Sequence, residues 1–150
     1  SMPLIHKPVQ AFAKQYARIA PFERRVDFEK YFPENEAYIM ADGKKISRVL
    51  ENLIVNACKY SLKGTRVYIV VTADEGKVKL EIKNIASYKM DFEISDITER
   101  FVRGDKSRHM EGNGLGLSIA KSLVELQNGT LSIVTDGDFF KVILSFPELQ

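Results

Sequence analysis

Two pairs of alternating apolar and polar runs, each pair split by a short glycine-containing turn, constrain the fold of this chain most. The first pair is RVYIVVTA at residues 66–73 and KVKLEIKNIA at residues 77–86, on either side of DEG. The second pair is TLSIVT at residues 130–135 and FFKVILSFP at residues 139–147, on either side of DGD. Alternation with a period of two is typical of half-buried strands, and a tight turn between two such runs predicts a β-hairpin.

The segments around these hairpins predict helices and further strands. Asp42 is a good N-cap for a long helix that ends near Ser61. Further helices are predicted at residues 8–20, 95–101 and 115–127, and further strands at residues 24–32 (RRVDFEKYF) and 36–41 (EAYIMA). Separate hairpins with helices between them favour a two-layer α+β sandwich with a mixed sheet.

Composition places the chain among single-domain globular proteins. Its 22 basic and 20 acidic side chains are interspersed over 150 residues, and the net charge of +2 gives no argument for nucleic-acid binding. The single Cys58 excludes an intramolecular disulfide and a cysteine-based zinc site, and it fits a reducing compartment. No apolar run reaches the roughly 18 residues of a membrane span, and no signal peptide is visible. The opening SM is interpreted as a cloning remnant of an excised fragment, with residues 1–7 as tag remnant and linker.

The helix segment ENLIVNACKYS, residues 51–61, carries an unusual polar stripe. At about 100° per residue, Asn52, Asn56 and Lys59 fall within a narrow arc, while the apolar residues gather on another face. One interpretation is a solvent-facing stripe. The other is that the amide oxygens bind a hard cation such as Mg²⁺ without adding negative charge beside phosphates, with the lysine as a phosphate partner.

A second unusual stretch is EGNGLGLSIAKSL, residues 111–123, in which three alternating glycines precede a helix. Such a turn can be an ordinary connection, or it can bind phosphate at the helix N-terminus. It lacks the Gly-Lys-Ser/Thr of a Walker loop and the preceding strand of a dinucleotide fingerprint. The polar stretch at residues 87–113 is either a solvated loop or an anion-binding lid, because positive charge concentrates there at Arg100, Arg103, Lys106 and Arg108.

Three motifs together resemble one family, the sensor histidine kinases. NLIVNACKYS resembles their N box, ERFVRGDKSR their F box and ATP lid, and GNGLGLSIAKSLVELQNG their second glycine box, in the family's order. The resemblance covers about residues 8–147, so residues 8–150 are expected to form a catalytic ATP-binding domain. It implies the Bergerat fold shared with gyrase, Hsp90 chaperones and MutL. In that fold a mixed, mainly antiparallel sheet is covered on one face by about three helices, with a long ATP lid.

The resemblance also implies roles for individual residues. Asn56 would be the principal magnesium ligand with Asn52 beside it, Lys59 would contact phosphate, and Tyr60 would lie near adenine. Arg103 matches the lid arginine near the γ-phosphate. Asn52, Lys59 and Arg103 are therefore the expected catalytic residues, and the other expected ATP-binding residues are Phe101, Gly112, Gly114, Leu115, Gly116 and Leu117.

The chain departs from the family in its first glycine box and F box. Asn84 stands where an adenine-reading aspartate is expected, and Ala86 and Tyr88 replace the two glycines. An asparagine amide can still accept a bond from the adenine amino group, but a neutral bond is roughly half as strong as a charge-assisted one. Thr98 replaces the first aromatic residue of the F box.

The expected function is transfer of the γ-phosphoryl of Mg–ATP to a histidine on a separate dimerisation domain. His6 and His109 lie outside the family's phosphoacceptor context, so this fragment should lack its own acceptor. One alternative is an ATPase of the same fold, which Asn52 disfavours because an amide cannot act as general base for water. The other is a nucleotide-sensing or protein-binding module. Expected partners are the dimerisation domain and, through its histidine, a response regulator. We expect a monomeric fragment and a cytoplasmic position in a membrane-anchored sensor.

Overall fold

The computed structural model describes residues 27–31, 33–34, 37–86 and 117–149. Within them, five strands form one sheet and two helices pack on it. The elements in chain order are β1 (Asp27–Tyr31), α1 (Gly43–Tyr60), β2 (Arg66–Asp74), β3 (Lys77–Ile85), α2 (Leu117–Glu125), β4 (Thr130–Asp136) and β5 (Phe139–Pro147). The predicted helices at 8–20 and 95–101 and the predicted lid at 87–113 lie outside the described residues.

The sheet has the strand order β1-β2-β3-β5-β4. β1 pairs in parallel with β2, and the other neighbours are antiparallel. The predicted α+β class, with a mixed and mainly antiparallel sheet, is therefore confirmed. Both predicted hairpins form with two-residue turns: Glu75 and Gly76 have φ of 52° and 75°, and Gly137 has φ of 58°. Positive φ at these positions is what the tight hairpin turns require.

Helix α1 begins and ends as the sequence predicts. Asp42 is its N-cap: the carboxylate accepts a hydrogen bond from the Lys45 amide at 3.0 Å, and this bond holds the pKa of Asp42 below its usual range. Ser61 is the C-cap in an extended conformation. Eighteen residues lie between these caps, so α1 crosses the sheet and carries its polar stripe to the edge of the core.

Two predicted boundaries are wrong. Within EAYIMA, the described residues 37–41 form no strand: Ile39 makes only an isolated bridge to Glu148, because Pro147 at the end of β5 has no amide to extend the ladder. Helix α2 ends at Glu125 rather than at 127. There the Gly129 amide donates to the Val124 carbonyl at 3.0 Å and Asn128 has a φ of 64°, which are features of a helix C-terminus.

The core lies between the helices and one face of the sheet. Alternate residues of β2, β3 and β5 point into it, among them Ile69, Leu80 and Leu144, and α1 covers them with Ile46, Leu50 and Ile54, all buried. The other sheet face alternates with it and is half-buried or exposed. No helix of the described residues is both long enough and apolar enough to span a membrane.

Candidate functional site

Two buried polar side chains mark the candidate site. Among the described residues, Asn56 and Asn84 are the only polar or charged side chains that the fold buries, at 7% and 3% exposure. A buried amide costs free energy unless it is hydrogen-bonded, so polar residues are uncommon in such positions. Asn56 lies on α1 and Asn84 on β3, and both line the same pocket. Two amides that converge on one cavity indicate a binding site rather than a packing defect.

The pocket lies between α1, the sheet and the start of α2. It is an open slot with about 370 Å³ of empty space when counted out to its mouth. Ligand pockets are typically several hundred cubic ångströms and mostly apolar with a few placed polar groups. The lining residues are Leu53, Asn56, Ala57, Tyr60, Ile82, Asn84, Leu117, Phe140 and Val142.

Strand pairing fixes the position of Asn84. Along β3, Val78, Leu80, Ile82 and Asn84 all point into the core, and Asn84 is the last of this row. Its cross-strand partner on β5 is Phe140. Period-two alternation therefore delivers the amide to the inner face, and the strand pairing places an aromatic ring beside it.

The end of β3 is tied to the end of α1. The Ile85 carbonyl accepts a hydrogen bond from the Leu62 amide at 2.7 Å, and Ser61 forms a bridge with Ala86. The Ala86 amide donates to the Asp138 carbonyl at 2.8 Å. These bonds hold the C-terminal turn of α1 against the strand, so the helix and strand walls of the pocket keep a fixed separation.

Helix α1 presents its amides on a boundary between core and surface. Asn56 and Tyr60 are one turn apart and both line the pocket, whereas Asn52 is half-buried and lies outside the lining. Each of these three residues makes at least one polar or ring interaction. The interpretation of the stripe as wholly solvent-facing is wrong for Asn56. The side chain of Lys59 lies outside the described part of the chain.

The described walls of the pocket carry no formal charge. Its lining residues are apolar apart from two amides and one phenol. Cys58, which is 2% exposed on the same helix, adds no charge near neutral pH, because a thiol is protonated there even in water and burial raises its pKa further, to about 12. A neutral slot with amide donors and acceptors suits a flat heteroaromatic ring better than an ion.

The pocket brings together four of the residues singled out from the sequence: Asn56, Tyr60, Asn84 and Leu117. Of the others, Asn52 and Lys59 lie on α1 as described above, whereas Phe101, Arg103, Gly112, Gly114, Leu115 and Gly116 lie outside the described residues, as do Tyr88 and Thr98. Sequence reasoning did not identify five lining residues. Leu53 and Ala57 could have been found because they lie three residues before Asn56 and Tyr60, respectively, but Ile82, Phe140 and Val142 require the strand register.

The chain is similar to known proteins over most of its length. The family model for histidine kinase-, DNA gyrase B-, and HSP90-like ATPases matches residues 41–150. The sensor histidine kinase WalK of Bacillus subtilis is 35% identical over 137 residues, covering 85% of this chain and 22% of that protein. HprS, a sensor histidine kinase of Escherichia coli, is 40% identical over 108 residues, covering 71% of this chain and 24% of that protein. The chain thus spans only about a quarter of the length of these curated relatives.

A solved structure shows the same fold. The catalytic domain of the histidine kinase ThkA matches with a TM-score of 0.76 at 18% identity, over 99% of this chain and 95% of that chain. The family model covers most of the chain and includes α1, β3, β5 and α2, the four elements that line the pocket. The resemblance noted from the three motifs is thereby confirmed, and the chain belongs to the histidine kinase-, DNA gyrase B-, and HSP90-like ATPase family.

Proposed function

We propose that this chain is the ATP-binding catalytic domain of a two-component sensor histidine kinase. In this role it transfers the γ-phosphoryl group of ATP to a histidine on a separate dimerisation domain. One observation carries the proposal: the only two buried polar side chains of the described residues, Asn56 and Asn84, meet in one pocket. They stand at the two places where the resemblance expects the metal ligand and the adenine-reading residue.

The base is proposed to enter the slot between helix and sheet. Leu53, Ile82 and Val142 offer apolar walls, and Phe140 offers an aromatic one beside Asn84. The Asn84 amide can accept a hydrogen bond from the adenine amino group and donate one to a ring nitrogen. Tyr60, half-buried at the C-terminal end of α1, closes the side of the slot.

Magnesium fits the residues present as an ion that arrives with the phosphates. Within the described ranges no three His, Cys, Asp or Glu side chains come together as a metal site. The Asn56 amide, with Asn52 one turn earlier, offers neutral oxygen ligands, and Mg²⁺ commonly combines one or two protein oxygens with phosphates and water. When bound, the ion neutralises charge on the phosphate oxygens.

Direct phosphoryl transfer is favoured over hydrolysis by the residue at position 52. In related ATPases a glutamate at that place is expected to take a proton from water. Asn52 cannot take a proton, because an amide is not a base near neutral pH. A histidine nucleophile needs no such base, and the proposed acceptor is a histidine on the dimerisation domain. Lys59 and Arg103 are proposed to contact the phosphates.

The parent protein is proposed to be longer than this chain. Its relatives are sensor kinases of which the chain spans about a quarter. We place this domain in the cytoplasm as part of a membrane-anchored sensor. The dimerisation domain and a response regulator are its proposed partners.

A titration with Mg–ATP, followed by phosphoryl transfer to the parent's histidine domain, tests the proposal. Asn56→Ala should abolish magnesium-dependent nucleotide binding and leave the fold intact. Val55→Ala is the matched control, because Val55 is the neighbouring residue on α1, is 37% exposed and lies outside the pocket lining. Unchanged Mg–ATP affinity in Asn56→Ala by calorimetry would show that the ligand assignment is wrong.

A second function, a nucleotide-sensing or protein-binding module without phosphotransfer, is favoured by one observation. Ala86 and Tyr88 replace the two glycines of the family's first glycine box, and Ala86 is buried where the strand ends. Binding of Mg–ATP without transfer to the histidine domain would favour a sensing module. Absence of any nucleotide binding would favour a protein-binding module.

A further inference from the structure

The strand β4 is an edge of the sheet that lacks the usual protection. Edge strands present free backbone groups, and proteins commonly block them with charges, proline, bulges or short length. β1, at the other edge, has five residues, DFEKY, of which three are charged. β4 has seven residues, TLSIVTD, with no proline and a single charge at its last position. Its register with β5 runs without a bulge from Thr130 to Asp136.

Hydrogen-bond alternation shows which residues of β4 offer free backbone groups. The Ala86 amide donates to the Asp138 carbonyl, so Asp138 directs its backbone groups toward β3, and its neighbour Phe139 directs them toward β4. Asp136, paired with Phe139 across the two-residue turn, therefore bonds to β5. Successive residues of a strand direct their backbone groups to opposite sides. Counting back from Asp136, the backbone groups of Thr135, Ile133 and Leu131 therefore point away from β5, toward the open edge.

This edge is accessible over most of its length. Val134 is 43% exposed, Thr135 and Asp136 are exposed, and Ile133 is half-buried. Within the described residues, no backbone hydrogen bond outside the β4–β5 ladder involves a β4 residue. A strand laid along β4 would therefore meet unpaired donors and acceptors without displacing any described element.

We propose that this edge pairs with β4 of a second copy of the chain, antiparallel about a two-fold axis at Ile133. In that register Ile133 pairs with Ile133 of the second copy, and Leu131 of each copy pairs with Thr135 of the other. All three outward residues then become hydrogen-bonded pairs, each of which exchanges two bonds. Any other two-fold register of this strand pairs fewer of them.

Charge distribution is compatible with a second copy. The only charged residue of the strand, Asp136, falls opposite the partner's Thr130, so no like charges face each other. The pairing is isologous, since the same surface is used by both copies, and it closes as a dimer. The two five-stranded sheets then become one continuous sheet with both sets of helices on the same side.

The pairing is weak and becomes significant when two copies are held together. A single strand pair must offset the loss of free rotation and translation, so we expect a dissociation constant of about 0.1–10 mM. The fragment then stays a monomer at micromolar concentration. In a parent protein with a dimerisation domain, the effective concentration of the second copy reaches the millimolar range.

The proposal is tested by following the nitrogen-labelled chain by NMR and sedimentation as its concentration rises from about 10 µM to 2 mM. This span reaches the affinity range expected for one strand pair. The amide signals of Leu131, Ile133 and Thr135 should shift with concentration, and the larger species should be a dimer. Thr135→Pro removes an outward amide from an exposed position and leaves the β4–β5 ladder intact, so self-association should be lost. The matched control Thr135→Ala keeps the amide and should associate like the parent chain.

A second blocking variant guards against misfolding. Thr135→Lys keeps the outward amide but places a charge in the contact, and it should also abolish association. Three results would overturn the proposal: a monomer throughout the concentration range, association of Thr135→Pro and Thr135→Lys equal to that of the parent chain, or species larger than a dimer. None of these measurements depends on nucleotide binding, so their failure is distinct from failure of the proposed function.

Discussion

Asn84 lies inside the pocket, at the place where the motif resemblance leads us to expect an aspartate. Its amide is 3% exposed and lies beside Phe140 at the end of the inward row of β3. If it reads adenine, Asn84→Ala should weaken ATP binding by about 1–3 kcal/mol, because a polar partner on the base is left unmet. Calorimetry measures this directly. The preference for ATP over GTP should also fall, since guanine offers a carbonyl where adenine offers an amino group.

Ile85→Ala is the control for this substitution. Ile85 is the next residue of β3, half-buried on the opposite face of the sheet and outside the pocket lining. Its truncation should lower stability without changing the base preference. Equal ATP affinity and equal base preference in Asn84→Ala and the parent chain would mean that the segment KNIASYK does not contact the base.

Cys58, which lies on α1, makes the free energy of unfolding depend on pH. Burial raises the pKa of its thiol from 9.0 to about 12. Between these two values the unfolded chain loses the thiol proton and the folded chain keeps it, so the free energy of unfolding falls as pH rises. The slope from this one group is about 1.4 kcal/mol per pH unit above pH 9, and stability is unaffected below that pH.

Urea unfolding of the parent chain and Cys58→Ala between pH 8 and pH 10 isolates this effect, because all other titrating groups are shared. Above about pH 9 the unfolded thiol begins to ionise, so the free energy of unfolding of the unsubstituted chain should fall relative to that of Cys58→Ala. A constant difference over that range would contradict a buried, neutral thiol. The folded chain should also react slowly with thiol reagents at neutral pH.

At the scale of elements, the turn after α2 depends on a glycine for packing rather than for backbone conformation. A Cβ at Gly129 would lie 2.6 Å from two ring atoms of Phe146 and 2.9 Å from a methyl carbon of Val124. Phe146 is among the largest fully buried side chains, so it has little room to move. We expect Gly129→Ala to lower stability by about 1–3 kcal/mol, the usual cost of overpacking.

Gly43→Ala is the opposite control. Gly43 is the first residue of α1, and a Cβ there meets no atom within 4 Å. Alanine should raise stability by about 0.5 kcal/mol, because glycine loses more backbone entropy on folding. Chemical denaturation of both variants measures the two signs. A stable Gly129→Ala would mean that the turn can move away from Phe146.

Local elements could be predicted from the sequence, and long-range ones could not. Helix α1 and both hairpins were predicted because caps, periodicity and turn residues lie within a few positions of one another. The strand predicted at 36–41 failed for a long-range reason. Its buried Ala37, Ile39 and Ala41 alternate as a strand should, but the pairing partner comes from the other end of the chain and stops at Pro147. Alternation shows which side chains point inward and says nothing about whether a ladder continues.

At the scale of the whole molecule, the pocket is assembled from parts that are distant in sequence. Asn56 and Asn84 were identified because each lies in or beside a motif. The apolar walls were not, because Ile82 and Val142 become neighbours only through the pairing of β3 with β5. A single sequence reveals the polar groups that a site requires more readily than the apolar surface around them, since apolar residues at core positions need no functional reason.

Because α1, α2, β3 and β5 all contribute walls, a nucleotide in the slot should stabilise the fold as a unit. A ligand that binds only the folded chain adds about 2.7 kcal/mol at a concentration 100 times its dissociation constant. In a domain of this size that corresponds to a rise in Tm of roughly 5–10 °C. A thermal scan with Mg–ATP measures it, and Val55→Ala should show the same rise.

Asn56→Ala should lose the magnesium-dependent part of the shift. Asn84→Ala should show a smaller shift at the same nucleotide concentration, and this loss should persist when magnesium is absent, because the base is read independently of the metal. Equal shifts in all four proteins would mean that nucleotide binds elsewhere, and the two buried amides would then need a different explanation.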